Sequence, residues 1–224
     1  MATRGYFVTG TDTGIGKTRI SVALLHLLRS RGLRAIGMKP IASGCVMTEQ
    51  GWRNEDALQL RSASDPRPDY ELVNPFALPE ATAPTIAARR SGIRVELPSL
   101  VAAYRALQAQ ADAVVVEGVG GWLAPLAEGL EQSDLVRALH LDVVLVVGLR
   151  LGCINHARLT ERAIQHDGAG LVGWIANAVD GTLDFADEYF RELEAAMATP
   201  CLGRVRHSPG ANDVDGSVFL SGMP

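Results

Sequence analysis

Gly10-Thr11-Asp12-Thr13-Gly14-Ile15-Gly16-Lys17-Thr18 is the most chemically loaded stretch of the chain. Glycines let backbone amides turn toward one anion, and a helix starting directly after them adds free N–H donors and its positive dipole end. A lysine placed as in Gly16-Lys17-Thr18 reaches the β- and γ-phosphates of a nucleotide, and the hydroxyl after it suits Mg2+. Gly14, Ile15, Gly16, Lys17 and Thr18 are therefore candidate nucleotide contacts, and Thr18 a candidate metal ligand. Five residues separate Gly10 from Gly16, one more than the usual P-loop pattern. The plainer reading is a glycine-rich turn before a lysine. The flanks argue against it, because the β-like run Tyr6–Thr9 precedes the stretch and the helix-like run Ile20–Leu28 follows it.

Other polar residues stand where apolar runs stop. Ala35-Ile36-Gly37-Met38 reads as a strand that delivers Lys39 before Pro40 ends it. Ala113-Val114-Val115-Val116 reads as a buried parallel strand with Glu117 at its carboxyl end, where P-loop proteins keep a magnesium-side acid. Gly118, Gly120 and Gly121 follow and let backbone approach a ligand closely. Leu171–Ala176 reads as a strand delivering Asn177. Asn54-Glu55-Asp56-Ala57-Leu58 reads as a helix start with Asn54 as N-cap. Two of these have ordinary alternatives: Lys39 as a snorkelling lysine, and Asp56 as an acid complementing a helix dipole. In parallel sheets, however, ligands bind beyond the carboxyl ends of the strands, where the P-loop, Lys39, Glu117 and Asn177 all fall.

The elements that must hold these groups alternate. Helical patterns over Ser99–Gln110, Ser133–Leu139, Asn155–Gln165 and Asp184–Met197 separate strand patterns at Ala113–Glu117, Val143–Val147, Leu171–Ala176 and Cys201–Val205. Such alternation predicts an α/β fold: one P-loop domain over 1–224, with a mostly parallel sheet covered by helices on both faces. The polar stretch Ser43–Asn54 reads as a loop. Residues 65–98, with six prolines, read as an irregular surface excursion in which Ile86–Arg90 makes a helical turn or two. Residues 206–224 read as a loosely ordered tail.

Composition narrows the class. A net charge of −4 without a lysine/arginine block, and only 5% aromatics, argue against nucleic acid as the main ligand. No apolar run is long enough to span a bilayer, so no membrane partner is expected. Three widely spaced cysteines, Cys45, Cys153 and Cys201, suit free thiols in a cytoplasmic protein.

Several stretches together resemble the dethiobiotin synthetase family: Tyr6–Thr13 with Gly16-Lys17-Thr18, Lys39-Pro40 with Ala42-Ser43-Gly44, and Arg53-Asn54 with Asp56-Ala57-Leu58. Val116-Glu117-Gly118 with Gly120-Gly121-Trp122, Leu151–Ala157, and Gly173-Trp174 with Ala176-Asn177 continue the match in order. The resemblance implies an ATP-dependent cyclo-ligase with ATP and Mg2+ as cofactors. Its substrates would be 7,8-diaminononanoate and CO2, joined through a carbamate and a carbamic-phosphoric anhydride. It implies Thr18, Asp56 and Glu117 as Mg2+ ligands, and Lys39, Lys17 and Thr13 as catalytic groups. Lys39, Ser43, Gly118, Val119, Gly120 and Gly121 would surround the carbamate, while Gly118 and Asn177 would join the nucleotide contacts. It further implies a homodimer with the site at the subunit interface, the partner's Leu151, Gly152, Cys153, Asn155 and Tyr189 binding the substrate carboxylate. The sequence departs from the family pattern at Gly14, often an acid, at Ala178, commonly an aspartate, and at Arg206-His207, commonly Pro-Trp near the base. Alternatives of other classes are a dimeric P-loop ATPase switch and an ATP-dependent amidase or ligase on another substrate. The switch family carries a second lysine early in the loop, where Asp12 and Thr13 stand here.

Overall fold

Short runs of β-branched residues bracketed by amphipathic helices assemble into a six-stranded, fully parallel sheet. The computed structural model describes residues 3–179 and 183–207. In chain order the sheet strands are β1 (Arg4–Gly10), β2 (Ala35–Met38), β7 (Ala113–Glu117), β8 (Asp142–Leu149), β9 (Leu171–Ala178) and β10 (Cys201–Val205). Their spatial order is β10-β9-β8-β1-β7-β2, which puts the P-loop strand at the centre with β7 and β8 as neighbours.

Side chains alternate across a strand, so each strand feeds two cores. Tyr6, Val8, Ala113, Val115, Val144 and Val146 pack under α1 (Lys17–Ser30) and α2 (Glu55–Ala63). Phe7, Val114, Val116 and Val143 face the opposite side, against α5 (Leu97–Gln108) and α6 (Gln132–Leu139). Leu145, Val147, Trp174 and Ala176 extend that side under α7 (Cys153–His166) and α8 (Ala186–Ala196). Helices thus cover both faces, as the alternating pattern predicts.

Two stretches differ from the sequence reading. Ser43–Asn54 is not a plain loop: after β3 (Ile41–Ser43), β4 (Val46–Thr48) and β5 (Gly51–Arg53) form an antiparallel hairpin. Gly51 closes it at φ 101, a left-handed value that glycine adopts without a Cβ penalty, and the Thr48 hydroxyl donates to its carbonyl at 2.8 Å. Residues 65–98 are not a surface excursion either. They build α3 (Tyr70–Val73), β6 (Phe76–Leu78), which pairs with β3, and α4 (Pro84–Ser91), with Tyr70, Val73, Leu78, Ala87 and Ala88 buried. The prolines punctuate these elements instead of abolishing them: Pro84 and Pro98 sit in the first turns of α4 and α5, where a missing N–H costs nothing. The cysteines are free, as expected. Among the described residues no helix is long and apolar enough to cross a membrane. Beyond His207 the expected tail lies outside the described residues.

Candidate active site

Register brings the charged groups together. β2 pairs with β7 so that Met38 stands beside Val116, and the next residues, Lys39 and Glu117, leave their strands side by side. The Lys39 ammonium donates to Glu117 Oε1 at 2.5 Å and lies 3.2 Å from Asp56 Oδ2. It also donates to the Gly118 carbonyl at 3.3 Å. Glu117 shares the strand face that α1 covers, which puts its Oε1 within 2.9 Å of the donating Thr18 hydroxyl. Lys39 is 4% exposed and Glu117 1%, so the snorkelling reading of Lys39 does not hold. Burial by itself would pull the Lys39 amine down, but the charges of Glu117 and Asp56 outweigh it and hold the amine above its ordinary range.

Gly14 (φ 71) and Gly16 (φ 86) take the left-handed turns that shape the P-loop. Gly16 is the N-cap of α1 and no side chain caps it, leaving the first-turn amides free for an anion. Lys17 curls back to donate to the Asp12 carbonyl at 2.7 Å. Its burial, with Lys39 as a neighbouring cation, brings it down to about 8, against the pull of Glu117, Asp56 and Asp12. Two crowded ammonium groups facing an uncapped helix start form a place that a polyphosphate would relieve. The Asp12 carboxylate accepts from Thr13 N–H at 2.7 Å and from Arg150, tying the loop to the end of β8.

A cavity of about 800 Å³ gathers these groups. Of the site residues proposed from the sequence, Thr13, Gly14, Gly16, Lys17, Thr18, Lys39, Ser43, Asp56, Glu117, Val119 and Gly120 line it together. Ile15 and Asn177 lie beneath the loop: Ile15 is buried, and Asn177 Nδ2 donates to its carbonyl at 2.7 Å. Gly118 and Gly121 do not line the cavity. A Cβ at Gly118 would collide with Phe7 and the Gln132 amide, while one at Gly121 would sit at ordinary contact distance from the Gly10 and Thr11 carbonyls. Leu151, Gly152, Asn155 and Tyr189 line a different cavity, of about 460 Å³, and Cys153 is buried away from it. Within one chain, therefore, the residues expected around the substrate divide between two places. Arg206 and His207 line a third pocket with Leu149, Ala178 and Arg204.

Buried polar atoms without a partner mark where a ligand would be satisfied, since leaving such an atom unpaired costs about 1–3 kcal/mol. Glu117 Oε2, Ser43 Oγ and Asn177 Oδ1 are such atoms. Hard oxygens from Thr18, Asp56 and Glu117, one of them unpaired, fit an octahedral dication that keeps phosphate and water ligands.

Sequence reasoning missed the scaffold behind Lys39. Asn74 Nδ2 donates to the Lys39 carbonyl at 2.7 Å, and Asn74 Oδ1 accepts from the Tyr70 hydroxyl at 3.1 Å. That hydroxyl in turn accepts from Asn54 N–H at 2.8 Å, so one chain of hydrogen bonds links Lys39 to the cap of the Asp56 helix. The Asn74-Pro75 step resembles any turn and carries no local sign of this. The N-cap role of Asn54 was legible, and its Oδ1 accepts from Ala57 N–H at 3.2 Å.

A family model described as an AAA domain matches residues 4–214. A protein of Xanthomonas euvesicatoria pv. vesicatoria (strain 85-10), named ATP-dependent dethiobiotin synthetase BioD, is 58% identical over 207 residues, covering 92% of each chain. One of the same name from Xylella fastidiosa (strain 9a5c) is 56% identical over 209 residues, covering 93% of this chain and 92% of its own. Among solved structures, a ParA family ATPase from Chlorobium tepidum TLS aligns with TM-score 0.56 at 15% identity, over 92% of this chain and 85% of that one. At that identity the likeness shows the fold alone.

Proposed function

Because the chain belongs to the ATP-dependent dethiobiotin synthetase family, we propose that the Lys39 cavity is where the cyclic urea of dethiobiotin is closed. The protein is an ATP-dependent cyclo-ligase. The observation that carries the assignment of its site is Lys39, a buried ammonium held by Glu117 and Asp56 beside the P-loop lysine.

One amine of 7,8-diaminononanoate attacks CO2 and loses a proton, giving a carbamate. A carbamate oxygen then attacks the γ-phosphorus of ATP, and ADP leaves. The second amine attacks the activated carbonyl, loses its proton, and phosphate departs as the ring closes. Such phosphoryl transfer asks the protein for position and charge more than for covalent chemistry. Lys17 and Lys39 supply two cations on the path of the transferring group, and Thr13 borders it. Ser43 Oγ, buried and without a partner, suits the carbamate, as do Val119 and Gly120 across the cavity. Asn177 keeps an unpaired Oδ1 that can accept from the adenine amine. Mg2+, held by Thr18, Asp56 and Glu117, would supply charge neutralisation on the phosphates. We place the protein in the cytoplasm as one domain.

The defining test omits each substrate in turn. ADP release is expected only when the diamine and CO2 are both present, with dethiobiotin formed in step. Steady ATP turnover indifferent to the diamine would overturn the reading in favour of an ATPase switch.

We also propose a homodimer in which each site borrows the partner's Leu151–Asn155 loop and Tyr189. The division of the expected substrate residues between two cavities supports it, as does the apolar exposure of Leu151 (82%), Leu123 and Leu159. Lys39→Ala and Asn155→Ala, each inactive alone, are expected to complement when mixed. An isologous dimer gives every mixed pair one intact site, so random reassociation should restore roughly a quarter of wild-type activity. Subunit exchange verified by mass, with no activity returning, would place the whole site within one chain.

A further inference from the structure

Gln132 belongs to none of the motifs above, yet it is 0% exposed at the first residue of α6. The hydrogen bonds of its amide all go to the backbone of one loop. Oε1 accepts from Val119 N–H at 3.0 Å, and Nε2 donates to the Gly121 carbonyl at 2.5 Å and the Trp122 carbonyl at 3.0 Å. The helix does not need it as a cap, because Asp134 Oδ2 already accepts from Glu131 N–H at 2.9 Å.

That loop runs straight from Glu117. Its Gly118 carbonyl accepts from Lys39, Val119 and Gly120 form a wall of the cavity, and a side chain at Gly121 would point toward the Gly10 and Thr11 carbonyls of the P-loop. Trp122 closes it, with its indole N–H on Asp167 at 2.7 Å. Three of the four residues from Gly118 to Gly121 are glycine, so the segment has little intrinsic preference for one conformation.

We propose that Gln132 is a positioning residue for the cyclisation, its amide clamping the 118–121 loop so that the loop's backbone faces the carbamate in register with Lys39. This rests on the reading of the cavity as the carbamate site. The choice of glutamine is specific. A glutamate would set a carboxylate oxygen against two carbonyls, and a methionine of similar length would take away the acceptor of the half-buried Val119 N–H.

The test compares wild type with Gln132→Met and Gln132→Glu. Displacing a substrate-facing wall costs up to about 100-fold in rate, so a diamine kcat/KM loss of about 10- to 100-fold is expected in both variants. The loss should enter through a raised diamine KM, while ATP affinity, measured by calorimetry without diamine, stays at the wild-type value. Hydrogen exchange read in the wild type should show Val119 N–H protected, and faster exchange confined to residues 118–122 in the variants. A folded Gln132→Met with wild-type diamine kinetics would overturn the proposal, as would ATP affinity and diamine KM worsening in step. If neither variant folds, the wild-type protein still decides: a Val119 amide exchanging as freely as a solvent-exposed one would overturn it. Wild type lacking diamine-dependent turnover would sink the carbamate reading itself, and the exchange data would then judge the clamp alone.

Discussion

Lys39→Gln is expected to lose about 10²–10³ in turnover, the usual cost of removing one preorganised charge donor, while the folded protein still binds ATP. The ammonium is buried, fixed by two carboxylates and the Gly118 carbonyl, and needs no reorganisation to meet negative charge developing in the cavity. Glutamine keeps the polar reach and loses the charge. It also takes from the buried Glu117 carboxylate the counter-charge in contact with it, so the unfolding temperature should fall as well. The two effects separate when kcat is measured at saturating ATP on material shown to be folded by circular dichroism. Turnover within a few-fold of wild type would remove Lys39 from the chemistry and leave it a structural counter-ion.

Glu117 and Asp56 should respond differently from each other, although both are proposed Mg2+ ligands. Glu117→Ala takes from the buried Lys39 ammonium its closest partner and leaves it only the half-exposed Asp56 carboxylate and the Gly118 carbonyl; breaking a buried pair costs up to about 3–5 kcal/mol. The variant should therefore unfold at clearly lower temperature as well as lose turnover. Glu117→Gln keeps the shape and should abolish Mg2+-dependent ADP release with a milder stability loss. Asp56→Ala removes a side chain that is 41% exposed, so the fold should be little affected while Mg2+-dependent turnover disappears. Thermal unfolding alongside a Mg2+ titration of ADP release reads all three. Near-normal activity of Glu117→Gln at saturating Mg2+ would take that residue out of the metal shell, and the same outcome for Asp56→Ala would return it to helix-dipole complementarity.

What the sequence determined by itself was whatever local pattern carries. Glycine spacing before Lys17 specified the P-loop, because left-handed turns at Gly14 and Gly16 are conformations other residues avoid. Apolar runs ending in Lys39, Glu117 and Asn177 specified strands and the rim at which they stop, since period and length are local properties. The prolines of residues 65–98 misled for the same reason: they mark element starts as readily as loops, and only packing of Tyr70, Leu78 and Ala87 into the core distinguishes the two. Tertiary structure alone decided the rest. That Lys39 is a buried ion-pair partner and not a snorkelling lysine follows from the β2–β7 register, which no stretch of chain encodes in isolation. The division of the expected substrate residues into two cavities depends on how the whole chain packs, and the clamp of Gln132 joins a helix start to a loop 10 to 13 residues before it. A hydrogen bond between such residues exists only once the helices have docked on the sheet, so the sequence holds its donor and acceptor but not their meeting.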